Sequence, residues 1–253
     1  MVMQFVRNVA RKSGQSSLLA VEAAKTRLAR QIGASSGLFY VPKVVSFDSE
    51  VGVLEFERID GLITLRELAM RKDVRLYPLL KKAGHSLAIV HAQLFLPGEI
   101  KHELPPEWMG GSEENVFIHG DFNLCNVCFR EDLDQLVILD WSAAPLLGGT
   151  PVFGSRYFDI LWFVSHAFIS APNRRLFRWD SKGIADALIE GYARAIQPNT
   201  VDKLRIYWPR LLQLHRRSVW HIASRQKLCR ACVWMVSQSF LYCKLWRYGR
   251  RFY

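Results

Sequence analysis

The chain has 253 residues, half of them hydrophobic, with a mean hydropathy of +0.02. That allows a sizeable core, in one large domain or two small lobes around a cleft, and excludes a disordered protein. Five cysteines without regular spacing fit a reducing compartment rather than a disulfide framework. The net charge of +11 is uneven: from Thr200 onward twelve Lys or Arg stand against the single acid Asp202, so that segment alone carries the whole excess.

No secretory signal is expected, because residues 1–6 are too short for an apolar signal core and Arg7, Arg11 and Lys12 follow at once. Residues 2–9 read as one short strand, and Ser13-Gly14-Gln15-Ser16-Ser17 as a turn or helix cap. Leu18, Val21, Ala24, Leu28 and Ile32 recur at helical spacing, which predicts a helix over 18–32, ended by Gly33, with Glu22 in its first half. Residues 39–47 and 51–56, separated by Asp48-Ser49-Glu50, predict an antiparallel hairpin. A long amphipathic helix is expected over 77–96, with His85 and His91 as structural residues, then a Pro- and Gly-rich loop over 97–111.

The most informative stretch follows: Phe117-Ile118-His119-Gly120-Asp121-Phe122-Asn123-Leu124-Cys125-Asn126-Val127-Cys128-Phe129, then Leu136-Val137-Ile138-Leu139-Asp140-Trp141. Apolar residues flank the polar cluster on both sides, which places it on a tight loop between two short buried strands. The run 136–139 reads as a buried strand delivering Asp140 at its end. Two carboxylates and one amide then converge, an oxygen-rich set suited to Mg²⁺ with phosphates completing its shell. Asp121 is left free to accept a proton. His119 is expected to brace the loop by hydrogen bonds, and Cys125 and Cys128 to be ordinary buried thiols, since no second Cys/His pair lies at zinc spacing.

Beyond Asp140, residues Pro145, Gly148, Gly149 and Pro151 mark an irregular segment, and Tyr157 opens a strongly apolar helix containing Asp159. Residues 202–253 read as two helices interrupted near Pro209 and around Gln226. The apolar stretches 160–171 and 231–241 fall short of a bilayer span or carry polar residues, so no membrane crossing is expected.

His-Gly-Asp, four residues, Asn, then an apolar strand and Asp-Trp resembles the aminoglycoside phosphotransferase and choline kinase group, relatives of protein kinases. The resemblance implies an α+β, protein-kinase-like two-lobe fold. A small, truncated N-terminal nucleotide lobe would span 1–58 and a mainly helical C-terminal lobe 59–253. It implies that Asp121 is the catalytic base, that Asn126 and Asp140 are metal ligands, and that ATP and Mg²⁺ are the cofactors. Glu57-Arg58-Ile59-Asp60-Gly61 resembles the hinge whose backbone, at Glu57 and Ile59, would bond adenine, and Thr64 the cap of the next helix. Asp159 resembles a residue that braces the active-site loops, and Gly191-Tyr192 also fits the family pattern.

Kinases of this kind hold ATP with a strand Lys oriented by a helical Glu. Glu22 fits the Glu, but the expected strand offers Gln4 and Arg7 while Lys12 falls in an apparent loop, so Arg7 or Lys12 is expected to serve the phosphates. The resemblance covers residues 4 to 215 and starts near the third strand of the usual lobe. It implies an ATP- and Mg²⁺-dependent phosphotransferase acting on a hydroxyl of a small-molecule or lipid-linked acceptor. The alternative is a degenerate kinase fold kept as a binding or scaffold module.

The basic C-terminus points to an anionic partner. Arg216, Arg217, Arg225, Lys227 and Arg230 suit a phosphorylated or carboxylated acceptor. Trp246, Tyr248, Phe252 and Tyr253 beside Arg247, Arg250 and Arg251 suit a membrane interface. A solvated helix face explains the same charges. No recognised module argues for nucleic acid. The expected location is cytoplasmic, with peripheral contact at the inner face of the membrane.

Overall fold

The chain opens with an antiparallel sheet in the computed structural model, which describes residues 2–6, 9–100, 102–142, 152–172, 178–196 and 200–252. Strands β1 (Val2–Val6), β2 (Val9–Ser13), β4 (Val44–Asp48) and β5 (Val53–Glu57) pair antiparallel in the order β1-β2-β5-β4. Helix α1 (Ser16–Ser36) lies across this sheet, where Leu19 and Ala23 pack on Val44 and Leu54.

The single strand expected over 2–9 is therefore two strands, and Lys12 belongs to the second of them rather than to a loop. Arg7 lies outside the described residues. The strand expected over 39–47 is also divided. Its first part, β3 (Phe39–Tyr40), pairs parallel with β9 (Gln135–Ile138), while only β4 forms the hairpin with β5. Pro42 sits at the break, where a residue without an N–H cannot continue a ladder. Helix α1 passes through Gly33 and ends at Gly37, which takes the left-handed conformation at φ 66°.

A second sheet, in the order β3-β9-β8-β6, contains β6 (Leu62–Thr64) and β8 (Val127–Arg130), and a two-stranded sheet joins β7 (Asn115–Phe117) to β10 (Phe153–Ser155). Helix α2 (Leu65–Arg71) starts at Thr64, whose hydroxyl accepts from the Glu67 N–H while the Glu67 carboxylate accepts from the Thr64 N–H, the cap expected from sequence.

The remaining mass is helical: α3 (Leu76–Gln93), α4 (Tyr157–Ile169), α5 (Ser181–Ile196), α6 (Thr200–Ala223) and α7 (Leu228–Gly249). Helix α4 is buried along almost its whole length and forms the centre of the core. Helices α3 and α5 meet backbone to backbone. A Cβ on Gly84 would lie 2.1 Å from the Leu188 carbonyl oxygen, and one on Gly191 2.0 Å from that of Lys81. Only glycine permits that approach.

Pro209 does not interrupt α6, contrary to expectation. Leu204, Tyr207, Trp208, Leu211 and Leu214 bury one continuous face across it, and this packing offsets the one lost hydrogen bond. The break falls between α6 and α7, at residues 224–227. No helix among the described residues is long and apolar enough to cross a membrane.

Candidate active site

Strand β2 turns Lys12 inward, and three oxygens meet its ammonium. It donates to Glu22 Oε1 and Asp140 Oδ1, each at 2.7 Å, and to Ser142 Oγ at 3.3 Å. Arg11, the neighbour on the opposite face, bonds Glu55 across the sheet instead. Burial pulls the Lys12 pKa down, but Asp140 and Glu22 outweigh it and the net shift is upward. Burial raises Glu22, while Lys12 holds Asp140 below the usual carboxylate range against its own burial. Glu22 and Lys12, one of the two basic residues expected to serve beside it, thus form one buried ion pair.

The loop carrying Asp121 is braced from below. Asp159, wholly buried on α4, accepts from the His119 N–H at 2.7 Å and the Gly120 N–H at 2.8 Å. It also bonds His91 Nε2 at 3.0 Å, and the other nitrogen of that ring meets the Tyr192 hydroxyl at 2.8 Å. The His119 ring accepts from the Asp121 N–H through Nδ1 and donates to the Leu139 carbonyl through Nε2, joining the Asp121 loop to the end of β9. Burial lowers the His119 pKa to about 4, so the ring is neutral and structural. Replacing Asp159 by Ala strips two buried amides and a histidine of their acceptor, and a loss of about 3–5 kcal/mol is expected in urea denaturation. Unchanged stability would show that the brace carries no weight.

Asp121 itself is tightly held. Its Oδ1 accepts from Trp162 Nε1 at 2.8 Å and Asn123 Nδ2 at 3.0 Å, and its Oδ2 from Asn126 Nδ2 at 2.9 Å. A carboxylate offers about four lone-pair sites, which leaves one for an incoming proton. Burial raises its pKa to about 6 against those hydrogen bonds. Asn126 spends its amide N–H groups on Asp121, so its carbonyl oxygen is the free end. Asp140 has φ 54°, a left-handed conformation that costs a non-glycine residue about 1 kcal/mol or more.

A cavity of about 500 Å³ opens over these groups. Lys12, Glu22, Glu57, Ile59, Asn126 and Asp140 all line it, and Ala10, Phe56, Leu62 and Leu139 supply apolar walls. Asp121 does not line it and joins it through Asn126. Of the two residues expected to bond adenine, Glu57 has its N–H engaged with the Lys43 carbonyl at 2.8 Å and its carboxylate with Tyr40 and the Lys43 N–H.

Among the described residues no group of three or more His, Cys, Asp or Glu is arranged to hold a metal. The donor set still fits Mg²⁺, which takes one or two carboxylates plus phosphate oxygens and water. Glu22, Asp121, Asp140 and Asp159 stand against two ammoniums, Lys12 and Lys25, with the His119 imidazole neutral. The centre therefore holds excess negative charge for a cation.

Sequence reasoning missed Trp162, Ser142 and the apolar walls. Val9-Ala10-Arg11-Lys12 approximates the Val-Ala-x-Lys of a kinase strand and is the signal that would have identified both Lys12 and Ala10. Cys125 and Cys128 carry free thiols, and burial raises both, Cys128 to about 12. Cys128 is buried as expected, whereas Cys125 is exposed.

No protein-family model matches the chain, and no curated protein matches it in sequence. Solved structures do match in fold. A choline/ethanolamine kinase family protein from Mesorhizobium loti is 13% identical, with 98% of this chain and 89% of that one covered and a TM-score of 0.54. A glucosamine kinase in complex with glucosamine, ADP and inorganic phosphate is 12% identical over 96% and 78%, with a TM-score of 0.59. An amicoumacin kinase in complex with AMP-PNP and Ca²⁺ is 10% identical over 96% and 88%, with a TM-score of 0.57. The chain has the α+β kinase-like fold of these small-molecule kinases, with the helical part expected from sequence.

Proposed function

We propose that the protein is a phosphotransferase that moves the γ-phosphoryl group of ATP to a hydroxyl of a small molecule. A nucleotide lobe over 1–58 and a helical lobe over 59–253 would enclose the cleft. The observation that carries this reading is the convergence of the Lys12–Glu22 pair, Asp140 and the Asp121–Asn126 pair around one cavity. The complete set favours an enzyme over a scaffold, which has no need of it. The ligands in the complexes of similar fold agree with it, although identities of 10–13% support the fold alone.

In this reading Lys12, fixed by Glu22, receives the nucleotide phosphates, and the Ile59 backbone with the apolar walls receives adenine. Asn126 Oδ1 and Asp140 would hold Mg²⁺. The bound ion neutralises charge developing on the phosphates. Asp121, ionised at neutral pH, takes the proton of the acceptor hydroxyl as that oxygen bonds phosphorus and ADP leaves. Incubation with γ-labelled ATP, Mg²⁺ and a panel of sugars, amino sugars and amino alcohols tests it. Label on an acceptor is expected, and no transfer to any class of hydroxyl compound counts against it.

A pH profile follows. With Asp121 near 6, turnover falls as pH drops through about 6, since the protonated form cannot accept a proton. Trp162→Phe removes a hydrogen bond to the ionised form, so the acid limb moves to higher pH. A limb that stays in place would remove Trp162 from this role.

We further propose an anionic membrane surface as the C-terminal partner, with the acceptor anionic or lipid-linked and the location at the inner face of the membrane. Val233, Val236 and Phe240 form an exposed apolar stripe on α7, and Trp246 is 45% exposed with Arg250 over its ring. Two aromatics expected at this surface belong elsewhere. Tyr248 is buried against Trp208, and Phe252 packs on both. Arg251 stacks on Tyr248 and pairs with Asp186. Tyr253 lies outside the described residues. Sedimentation with anionic vesicles is expected at low salt and lost at high salt. Equal, negligible binding to anionic and neutral vesicles contradicts it.

A further inference from the structure

Lys25 takes no part in the reaction described, yet its exposure is 0%. It follows Glu22 by three residues on α1, so both side chains leave the same helix face. Its Nζ donates to the main-chain carbonyl of His119 at 2.6 Å. Burial lowers its pKa to about 8, against the attraction of Asp159, Glu22, Asp140 and Asp121 around it. An ammonium in the interior is costly unless it is held, and an apolar side chain would serve packing alone with no such cost.

With this contact, His119 is fixed at every polar group. Its N–H meets Asp159, its carbonyl meets Lys25, and its ring spans the Asp121 N–H and the Leu139 carbonyl. We infer that Lys25 is a positioning residue that ties α1 to the loop carrying Asp121, so that the Lys12–Glu22 pair and the Asp121 carboxylate are set in place together. In protein kinases the helix carrying the Glu governs activity through its position. Here, outward movement of α1 would leave a buried ammonium and a buried carbonyl unpaired at once. The structural claim stands by itself, and only its effect on nucleotide affinity rests on the phosphotransferase reading.

Indole ¹H–¹⁵N signals of the full chain read the loop directly. Trp162 donates to Asp121, and the Trp141 ring lies 4.5 Å from that of His119, whereas Trp208 packs remotely against Tyr248. In Lys25→Met the Trp162 and Trp141 signals are expected to move by more than a line width while Trp208 stays, and Mg²⁺-ADP binding should weaken about tenfold. Unmoved Trp162 and Trp141 signals overturn the inference even if the melting temperature falls, because Lys25 would then only fill the core. Shifted indoles in a protein whose wild type binds no nucleotide support the inference and sink the phosphotransferase reading alone. Lys25→Gln serves as a second variant. If neither folds, labelled wild-type protein decides: a scalar coupling between Lys25 Nζ and the His119 carbonyl carbon is expected, and its absence overturns the inference.

Discussion

Lys12→Met is expected to weaken nucleotide binding by roughly a hundredfold or more, the largest effect of any single substitution in the cavity. Lys12 is 3% exposed and is shared by Glu22 and Asp140, so its removal acts twice. The phosphates lose their cation, and two carboxylates are left facing each other across the vacated position. Glu22, already raised by burial, then rises further, and α1 loses its tie to β2. Arg7→Ala is the control, with no change expected. If Arg7→Ala weakens binding and Lys12→Met does not, the Lys12–Glu22 pair is an ordinary buried salt bridge.

Asp121→Asn separates binding from chemistry. General-base groups contribute roughly 10²–10⁴-fold, so transfer should fall by about 10³ while nucleotide affinity is retained. The retention follows from geometry: the carboxylate lies behind Asn126 and does not line the cavity over Lys12. The substitution keeps one acceptor oxygen, enough for the Trp162 and Asn123 donors, while Asn126 retains its bond to the main-chain carbonyl of residue 121, and the loop stays braced by Asp159 and His119. Rates within about tenfold of wild type would assign the proton to another group.

The loop carrying Asp121 was legible because its residues lie within a short span of the sequence. Asp121 and Asn126 are five positions apart, and Asp140 ends an apolar run whose burial the sequence declares. Lys12 could not be separated from Arg7 in the sequence because its partners are remote. Arg11-Lys12-Ser13-Gly14 is polar enough to read as a turn, and an inward-facing Lys makes sense only with Glu22 ten residues on and Asp140 at a separation of 128. Trp162, 41 residues from Asp121, and Lys25, 94 residues from His119, were hidden for the same reason. Apolar periodicity reports which face of a helix is buried, and it cannot report which buried residue meets a distant loop. The helical C-terminus was read correctly in kind, but Pro209 suggested a break that the packed face of α6 overrides.

Calorimetric titration with a non-hydrolysable ATP analogue, with and without Mg²⁺, tests the central claim most directly, using wild-type protein and Asp140→Asn. Saturable one-to-one binding that depends on Mg²⁺ is predicted for the wild type, with the Mg²⁺ dependence lost in Asp140→Asn. No binding by the wild type, or equal binding by both proteins regardless of Mg²⁺, would contradict the account.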